Sequence, residues 1–255
     1  MNSPKISIIT AVYNGEQFLE DTIKSIICQD YKNFEYIIID GGSTDKTIEI
    51  IQKYEEYITH WITESDEGIS DAFNKGLTLA SGEYINFQGD GDRLQNPQIL
   101  TEIFQHVNEQ EDDMVSCLIE RVDYSGKHRF YSKHNAPIKR EQLLFRLTVP
   151  HQGLFTHRRF FNKFGFFDIK NVYCMDYEIL LRAYHQFPKI NSIPIVASKW
   201  RDDGVGNGRE IEVLREYHHI KIKNRIAPKI ILICVNAWIL TKYYLKNLLG
   251  MHEKY

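Results

Sequence analysis

Short apolar runs rich in isoleucine alternate with amphipathic stretches from Lys5 to about Gln88, the pattern produced by strands buried on both faces and covered by helices. The runs KISIITAVY, FEYIIID, ITHWIT and EYINF predict strands. Before the last of them, GISDAFNKGLTLAS predicts a helix, because Ile69, Ala72, Phe73, Gly76, Leu77 and Ala80 recur at the spacing of one helical face. A further helix is expected to open at Asn96, with Pro97 in its first turn and Leu100, Ile103, Phe104 and Val107 on its apolar side.

The pattern then changes. Residues 114–132 read as two strands around the turn Tyr124-Ser125-Gly126-Lys127, which implies antiparallel pairing and a mixed sheet. MDYEILLRAYHQF is amphipathic through Tyr177, Leu180, Leu181, Tyr184 and Phe187, so it predicts a helix with Asp176 in its first turn. With no repeat, low-complexity tract or Pro/Gly/Ser-rich linker, residues 1–110 and 111–207 are expected to be halves of one α/β domain.

A helical, basic and apolar extension follows over residues 208–255. Its segment 230–240 is almost wholly apolar and flanked by Lys229, Lys242 and Lys246. A spanning helix needs about 20 apolar residues, and this segment is shorter and interrupted by Asn236. Trp238, Tyr243, Tyr244 and the lysines suit a helix lying in the interface of an anionic membrane. Packing on the core or on a partner subunit asks for the same pattern, and the sequence leaves these readings open.

Composition narrows the function. A chain of 255 residues with 43% hydrophobic residues can bury a sizeable core. A net charge of -3 supplies no global field for nucleic acid, which is set aside as a partner. Cys28, Cys117, Cys174 and Cys234 are scattered, signalling neither a zinc site nor a disulfide framework. The N-terminal MNSPKISIITAVYNG lacks the layout of a secretory signal, so a cytoplasmic location is expected.

In open α/β sheets ligands sit beyond the carboxyl ends of the strands. Here those ends are polar: Thr10, Tyr13 and Asn14 after the first run, Asp40 through Asp45 after the second, and Gly89 through Asp92 after EYINF. Carboxylates two apart, as in Asp90-Gly91-Asp92, can face one hard cation such as Mg²⁺ or Mn²⁺, which keeps positions for substrate phosphates. A solvated acidic turn has the same composition. Asp40 is positioned to accept a hydrogen bond from a pyrimidine imino group, while Ser43, Thr44 and Asp45 suit the cap of a following helix. No GxGxxG follows the first strand, which removes a dinucleotide-binding fold.

SIITAVYNG, IIIDGGSTDKT and SDEGISDAFNKGLTLASGEYINFQGDGD together closely resemble the donor-binding half of inverting glycosyltransferases of family two, which have the GT-A fold. The likeness is specific over about the first hundred residues and looser to about Gly206. It implies a Rossmann-like mixed sheet flanked by helices, with residues 1–110 binding a nucleotide sugar and 111–207 an acceptor. It implies that Thr10, Tyr13 and Asn14 line the nucleotide pocket, that Asp40 reads the base, and that Asp71 and Lys75 lie near the donor ribose and phosphates. Asp92 then binds the metal most directly, with Asp90 assisting. The sequence departs from the commoner adjacent aspartates, because Gly91 separates them.

By the same resemblance Asp176 is the base that takes the acceptor proton, although Met175 stands where a glutamate is frequent. At the first turn of a helix the dipole also favours its ionised form, and an ordinary helix cap is the competing reading. Glu178, toward the polar side of that helix, is the alternative base. His151, in VPHQGLF, falls in a region near the acceptor cleft, where a structural histidine is equally expected. The loop KWRDDGVGNG is expected to fold over the donor, with Arg201 facing the diphosphate. The QxxRW signature of processive synthases is absent, which implies single additions.

The expected activity is transfer of a sugar from a UDP-linked donor, with Mn²⁺ or Mg²⁺, to a saccharide or lipid-linked acceptor in cell-surface polysaccharide synthesis. The alternatives are a sugar-nucleotide nucleotidyltransferase, which normally carries a basic glycine-rich loop that AVYNGEQF lacks, and a non-catalytic relative that only binds the sugar nucleotide.

Overall fold

All seven residues of β1 (Ile6–Val12) are buried, because the strand lies in mid-sheet with apolar layers on both faces. The structure, a computed structural model, describes residues 3–147, 149–201 and 206–249. After β1 come α1 (Leu19–Ile27), β2 (Phe34–Asp40), α2 (Thr47–Lys53), β3 (His60–Thr63), α3 (Ile69–Leu79), β4 (Tyr84–Gly89), β5 (Arg93–Leu94) and α4 (Ile99–Phe104). The second half contains β6 (Met114–Val122), β7 (His128–Tyr131), β8 (Leu154–His157), α5 (Arg158–Phe164), α6 (Met175–Arg182) and β9 (Ile190–Arg201). The extension consists of α7 (Glu210–Lys223) and α8 (Lys229–Leu248).

The strands form one nine-stranded sheet in the order β3-β2-β1-β4-β8-β6-β9-β5, with β7 paired to β6. β3, β2, β1 and β4 are parallel, β8 runs against its neighbours β4 and β6, and β9 is parallel to β6. The mixed α/β sheet flanked by helices is therefore the architecture expected. Alternation along the strands divides the core into two layers: Ile9, Ile37 and Ile39 face the side of Phe73 and Tyr177, whereas Ile8, Ile38 and Tyr36 face α1 with its Leu19 and Ile23. Each such fully buried side chain contributes about 1.5–3 kcal/mol.

Register decides what meets at the carboxyl edge. Val12 pairs with Asp40, Asp40 with Thr63, and Ala11 with Gly89, so β1, β2, β3 and β4 end together. On the other side Val122 pairs with Arg201, and Arg93 with Lys199, which returns the end of β9 to the segment following β4.

Three boundaries differ from expectation, one being the end of α6 at Arg182, after which Tyr184 lies in a 3-10 turn and Phe187 outside the helix. α4 opens at Ile99 rather than Asn96, because the Asn96 side chain accepts the Gln98 amide at 2.7 Å and forms a turn ahead of the helix. It also ends at Phe104, leaving Val107 outside it. In the extension, α7 packs on α6 and α8 on α7. Ile220, Ile226 and Leu232 join the core, whereas Ile230, Trp238, Leu245, Leu248 and Leu249 are exposed.

Candidate active site at the carboxyl edge

The ends of β1 and β2 interlock. Asn14 takes a left-handed backbone (φ 52°), which asparagine tolerates better than most residues. Its amide donates to Ser43 Oγ at 2.7 Å, and its side-chain oxygen accepts the Thr44 amide at 2.9 Å. Gly15 N–H donates to Thr47 Oγ1 at 2.8 Å, and Asp45 accepts the Thr47 amide at 2.9 Å, so Asp45 serves the start of α2. Tyr13 stands on the crest of this joint, 63% exposed.

Asp40 and Thr10 lie deeper than the sequence suggested. Asp40 is 0% exposed and accepts from the amides of Gly42 and Ser43 and the hydroxyls of Ser43 and Thr63. Both carboxylate oxygens take part in holding the loop after β2 in shape. Thr10 is also fully buried, and its hydroxyl accepts from Tyr36 at 3.1 Å inside the sheet layer. Its hydroxyl therefore supports the strand.

Sequence reasoning missed Asp66. Its Oδ1 accepts the Gly68 amide at 2.9 Å, while Oδ2 lies over Gly41, where the first carbon of a side chain would meet it at 2.5 Å. The signal was Gly41, the first glycine after the β2 run, which leaves the strand end bare for a carboxylate from another loop. Asp71 and Lys75 secure that loop: Asp71 accepts the Glu67 amide at 3.1 Å, and Lys75 pairs with Glu64 at 2.9 Å and Asp71 at 3.3 Å while donating to Ser65 O at 3.0 Å.

At the end of β4, Asp92 is 5% exposed and accepts from the Gly89 amide at 3.0 Å and the Arg201 amide at 3.2 Å. Burial pushes its carboxyl up to about 7; the Gly89 and Arg201 amides oppose that shift and the neighbouring Asp90 charge adds to it. Gly91 has φ +87°, and a side chain there would collide with the Arg201 guanidinium, which stacks on Phe18 with its centre 3.5 Å from the ring. The separated aspartates thus accommodate an arginine delivered by β9. Residues 202–205 of the expected covering loop lie outside the described residues.

Among the described residues no three His, Cys, Asp or Glu side chains converge in a way that could hold a metal ion. Asp90 and Asp92 still fit a Mg²⁺ or Mn²⁺ shared with a diphosphate, since such ions use one or two carboxylates together with substrate oxygens. Burial, and to a lesser degree the Asp90 charge, raises Asp92, and a bound cation would offset both.

Asp176 is the second residue of α6, one past the start, and not its cap, which is Cys174. Its Oδ1 accepts the Tyr177 amide at 2.8 Å, and burial pushes its carboxyl up to about 6. It borders a cavity of about 20 Å³ lined also by Phe87, His151, Phe167 and Leu180. His151 stacks on Phe87 at 5.3 Å and is held down to about 4, hence neutral, by burial. Gln152, next in the same 3-10 turn His151–Gly153, lies at Asp92, so this turn bridges the two carboxylates. Glu178 differs from its expected place on the polar side: it is 2% exposed and ion-paired with Arg182, which also donates to Phe164 O and Phe166 O. It is a packing residue.

A mixed α/β sheet flanked by helices, with polar strand ends at one carboxyl edge and an acidic pair after β4, is the architecture of GT-A glycosyltransferases. The chain belongs to Glycosyl transferase family 2, which matches residues 7–169. A PGL/p-HBAD biosynthesis glycosyltransferase of Mycobacterium bovis is 24% identical over 247 residues, covering 93% of this chain and 92% of its own length. A glycosyltransferase of Rickettsia typhi is 29% identical over 199 residues, 75% of this chain and 61% of the relative.

Among solved structures, S. aureus TarS 1-349 in complex with UDP superposes with a TM-score of 0.69 at 19% identity, covering 94% of this chain and 72% of that one. This chain spans 43% of the longer TarS chain. The mannosyltransferase PcManGT from Pyrobaculum calidifontis, in complex with GDP-Man and Mn2+, has a TM-score of 0.69 at 18% identity, covering 100% of this chain and 77% of that one.

Proposed function

We propose that this glycosyltransferase is inverting and moves one sugar at a time from a UDP-linked donor to an acceptor hydroxyl in cell-surface polysaccharide synthesis. The observation that carries the reading is the turn His151–Gly153, which joins the acidic pair after β4 to Asp176 across the carboxyl edge. A donor diphosphate at Asp90 and Asp92 then leaves its sugar between that pair and Asp176. The UDP complex of TarS supports the nucleotide, and the Mn2+ complex of PcManGT supports a divalent cation.

In this scheme residues 1–110 bind the donor and 111–207 the acceptor. The exposed ring of Tyr13 stacks on the base, and Asp66 accepts its imino hydrogen. Asp40 and Asn14 hold the base-side loops, while Asp71 and Lys75 fix the Asp66 loop beside the ribose. Asp90 and Asp92 hold Mn²⁺ or Mg²⁺, and the ion when bound stabilises negative charge on the departing diphosphate. Arg201 faces that diphosphate with a fixed cation.

Asp176 accepts the acceptor hydroxyl's proton as its oxygen attacks the anomeric carbon opposite the leaving group. A proton affinity raised toward the working pH suits a general base. The acceptor is a saccharide, lipid-linked in the reading that gives α8 a role: its exposed apolar face with Lys229, Lys242 and Lys246 rests on the cytoplasmic face of a membrane. No helix among the described residues is long and apolar enough to cross one. The anomeric configuration of the product, read by proton NMR against that of the UDP-sugar, tests the inverting reading; a retained configuration refutes it.

A further inference from the structure

The loop that leads into α6 is held from outside the family-matched region. Glu216, on α7, accepts three successive backbone amides: Val172 at 3.2 Å on Oε2, and Tyr173 at 3.0 Å and Cys174 at 2.8 Å on Oε1. Such a run of amides is a concave anion seat, here filled by a side chain of the same protein. α6 has no side-chain cap of its own, since its cap residue is Cys174. Glu216, from another helix, instead holds the cap residue and the two residues before it by their amides.

Further contacts make the arrangement a clamp. The Tyr217 ring packs on Tyr177 at 4.4 Å, the Cys174 thiol contacts Val213 O at 3.8 Å, and Lys223 pairs with Asp168 at 2.5 Å. Inside the loop, the Asn171 carbonyl accepts from Ser70 Oγ at 3.2 Å, and Ser70 contacts Met175 Sδ at 3.2 Å. The N-terminus of α6 is thus pinned between α3, which carries Asp71, and α7. Asp176 is its second residue.

We propose that Glu216 is a positioning residue for the transfer reaction: α7 completes the acceptor side of the site by fixing residues 172–174 and, through them, the location and charge environment of Asp176. This rests on the assignment of Asp176 as the base. The groups bearing on Asp176 are Glu216 and Tyr217 from α7, Cys174 from the approach, the Tyr177 amide from α6, and neutral His151 across the cavity. Only Glu216 among them carries a negative charge, and that charge raises the proton affinity of Asp176. Glutamine at 216 removes the charge and turns one acceptor into a donor facing the Val172 amide or its neighbours.

The test compares kcat as a function of pH for the full-length wild type, Glu216→Gln, Glu216→Asp and Asp176→Asn at saturating donor, with UDP affinity measured by calorimetry. Glu216→Gln is expected to lower kcat by about tenfold to a hundredfold, the cost of a misplaced reacting group. Its acid limb moves to lower pH while UDP affinity stays at the wild-type value. Glu216→Asp, which keeps the charge but withdraws it by one methylene, lowers kcat without moving the acid limb. Wild-type kcat and acid limb in Glu216→Gln, with only a lower melting temperature, overturn the proposal. Should Glu216→Gln not fold, wild-type kcat in Glu216→Asp overturns it equally. Turnover in Asp176→Asn defeats the base assignment and the premise with it. An inactive Asp176→Asn beside an unmoved Glu216→Gln profile defeats the role of Glu216 alone.

Discussion

The carboxylate of Asp66 lies over the α-carbon of Gly41, so near that the first carbon of any side chain at 41 would stand 2.5 Å from Oδ2. Gly41 keeps the strand end bare, and Asp66 offers an oxygen there while Asp40 beneath is fully buried and bonded to its own loop. Gly41→Ala and Asp66→Ala should therefore both weaken UDP. A hydrogen bond to a charged group contributes about 1.5–3 kcal/mol, so Kd rises by roughly tenfold or more for Asp66→Ala. Calorimetric titration with UDP checks this; unchanged affinity in both variants removes Asp66 from the base site.

Gly91→Asp restores the adjacent acidic pattern commoner in family two, yet it should lower activity. The backbone at 91 has φ +87°, which costs a side-chain-bearing residue about 1–2 kcal/mol. The new side chain would also run into the guanidinium of Arg201 on Phe18. Thermal denaturation should show a loss of that order, with kcat/KM reduced. A fully active, equally stable Gly91→Asp would show that Arg201 has no fixed place beside the acidic pair.

Asp176 gives the pH dependence. Burial lifts its carboxyl from 3.8 to about 6, so kcat should fall as pH drops through about 6, where the base becomes protonated. Stability runs the other way. The folded state holds this proton more tightly than the unfolded chain, so relative to Asp176→Asn the wild type loses stability as pH rises from about 4 to about 6. Melting temperatures of both proteins across that window, alongside kcat, measure the two trends. A wild-type minus variant difference that is flat with pH contradicts the buried, raised carboxyl.

The features of this edge are unequally visible in the chain. The β2 run Phe34–Asp40 and the α3 stripe were legible because burial on both faces, or on one helical face, writes an unbroken or periodic apolar pattern. β5, two residues long, was not, because it exists only through pairing with β9. The bonding of Asp40 into the fold depends in part on Thr63, brought opposite by β2–β3 register, and the burial of Glu178 on the distant Phe164 and Phe166 carbonyls met by Arg182. Local sequence signals a carboxylate at a strand end or helix start. Whether it faces substrate or holds the fold is decided by residues tens of positions away.

For α8, the exposed apolar residues fall on one face with lysines at its margins, and Phe145 extends that face by packing on Trp238 at 5.9 Å. Trp238→Glu and Leu245→Glu should abolish sedimentation with vesicles containing anionic phosphatidylglycerol and leave UDP affinity unchanged. Binding should also weaken as salt rises, since surface charge is screened within about 10 Å at 0.1 M. Wild-type sedimentation by both variants would assign the face to something other than a membrane.

The most direct test of the account is UDP release from a panel of UDP-sugars with Mn²⁺, comparing wild type with Asp92→Ala and Asp176→Asn. One donor should turn over in the wild type, Asp92→Ala should lose the metal-dependent signal, and Asp176→Asn should bind UDP without turnover. Turnover undiminished in either variant, or no UDP binding by the wild type, would contradict the site described at the carboxyl edge.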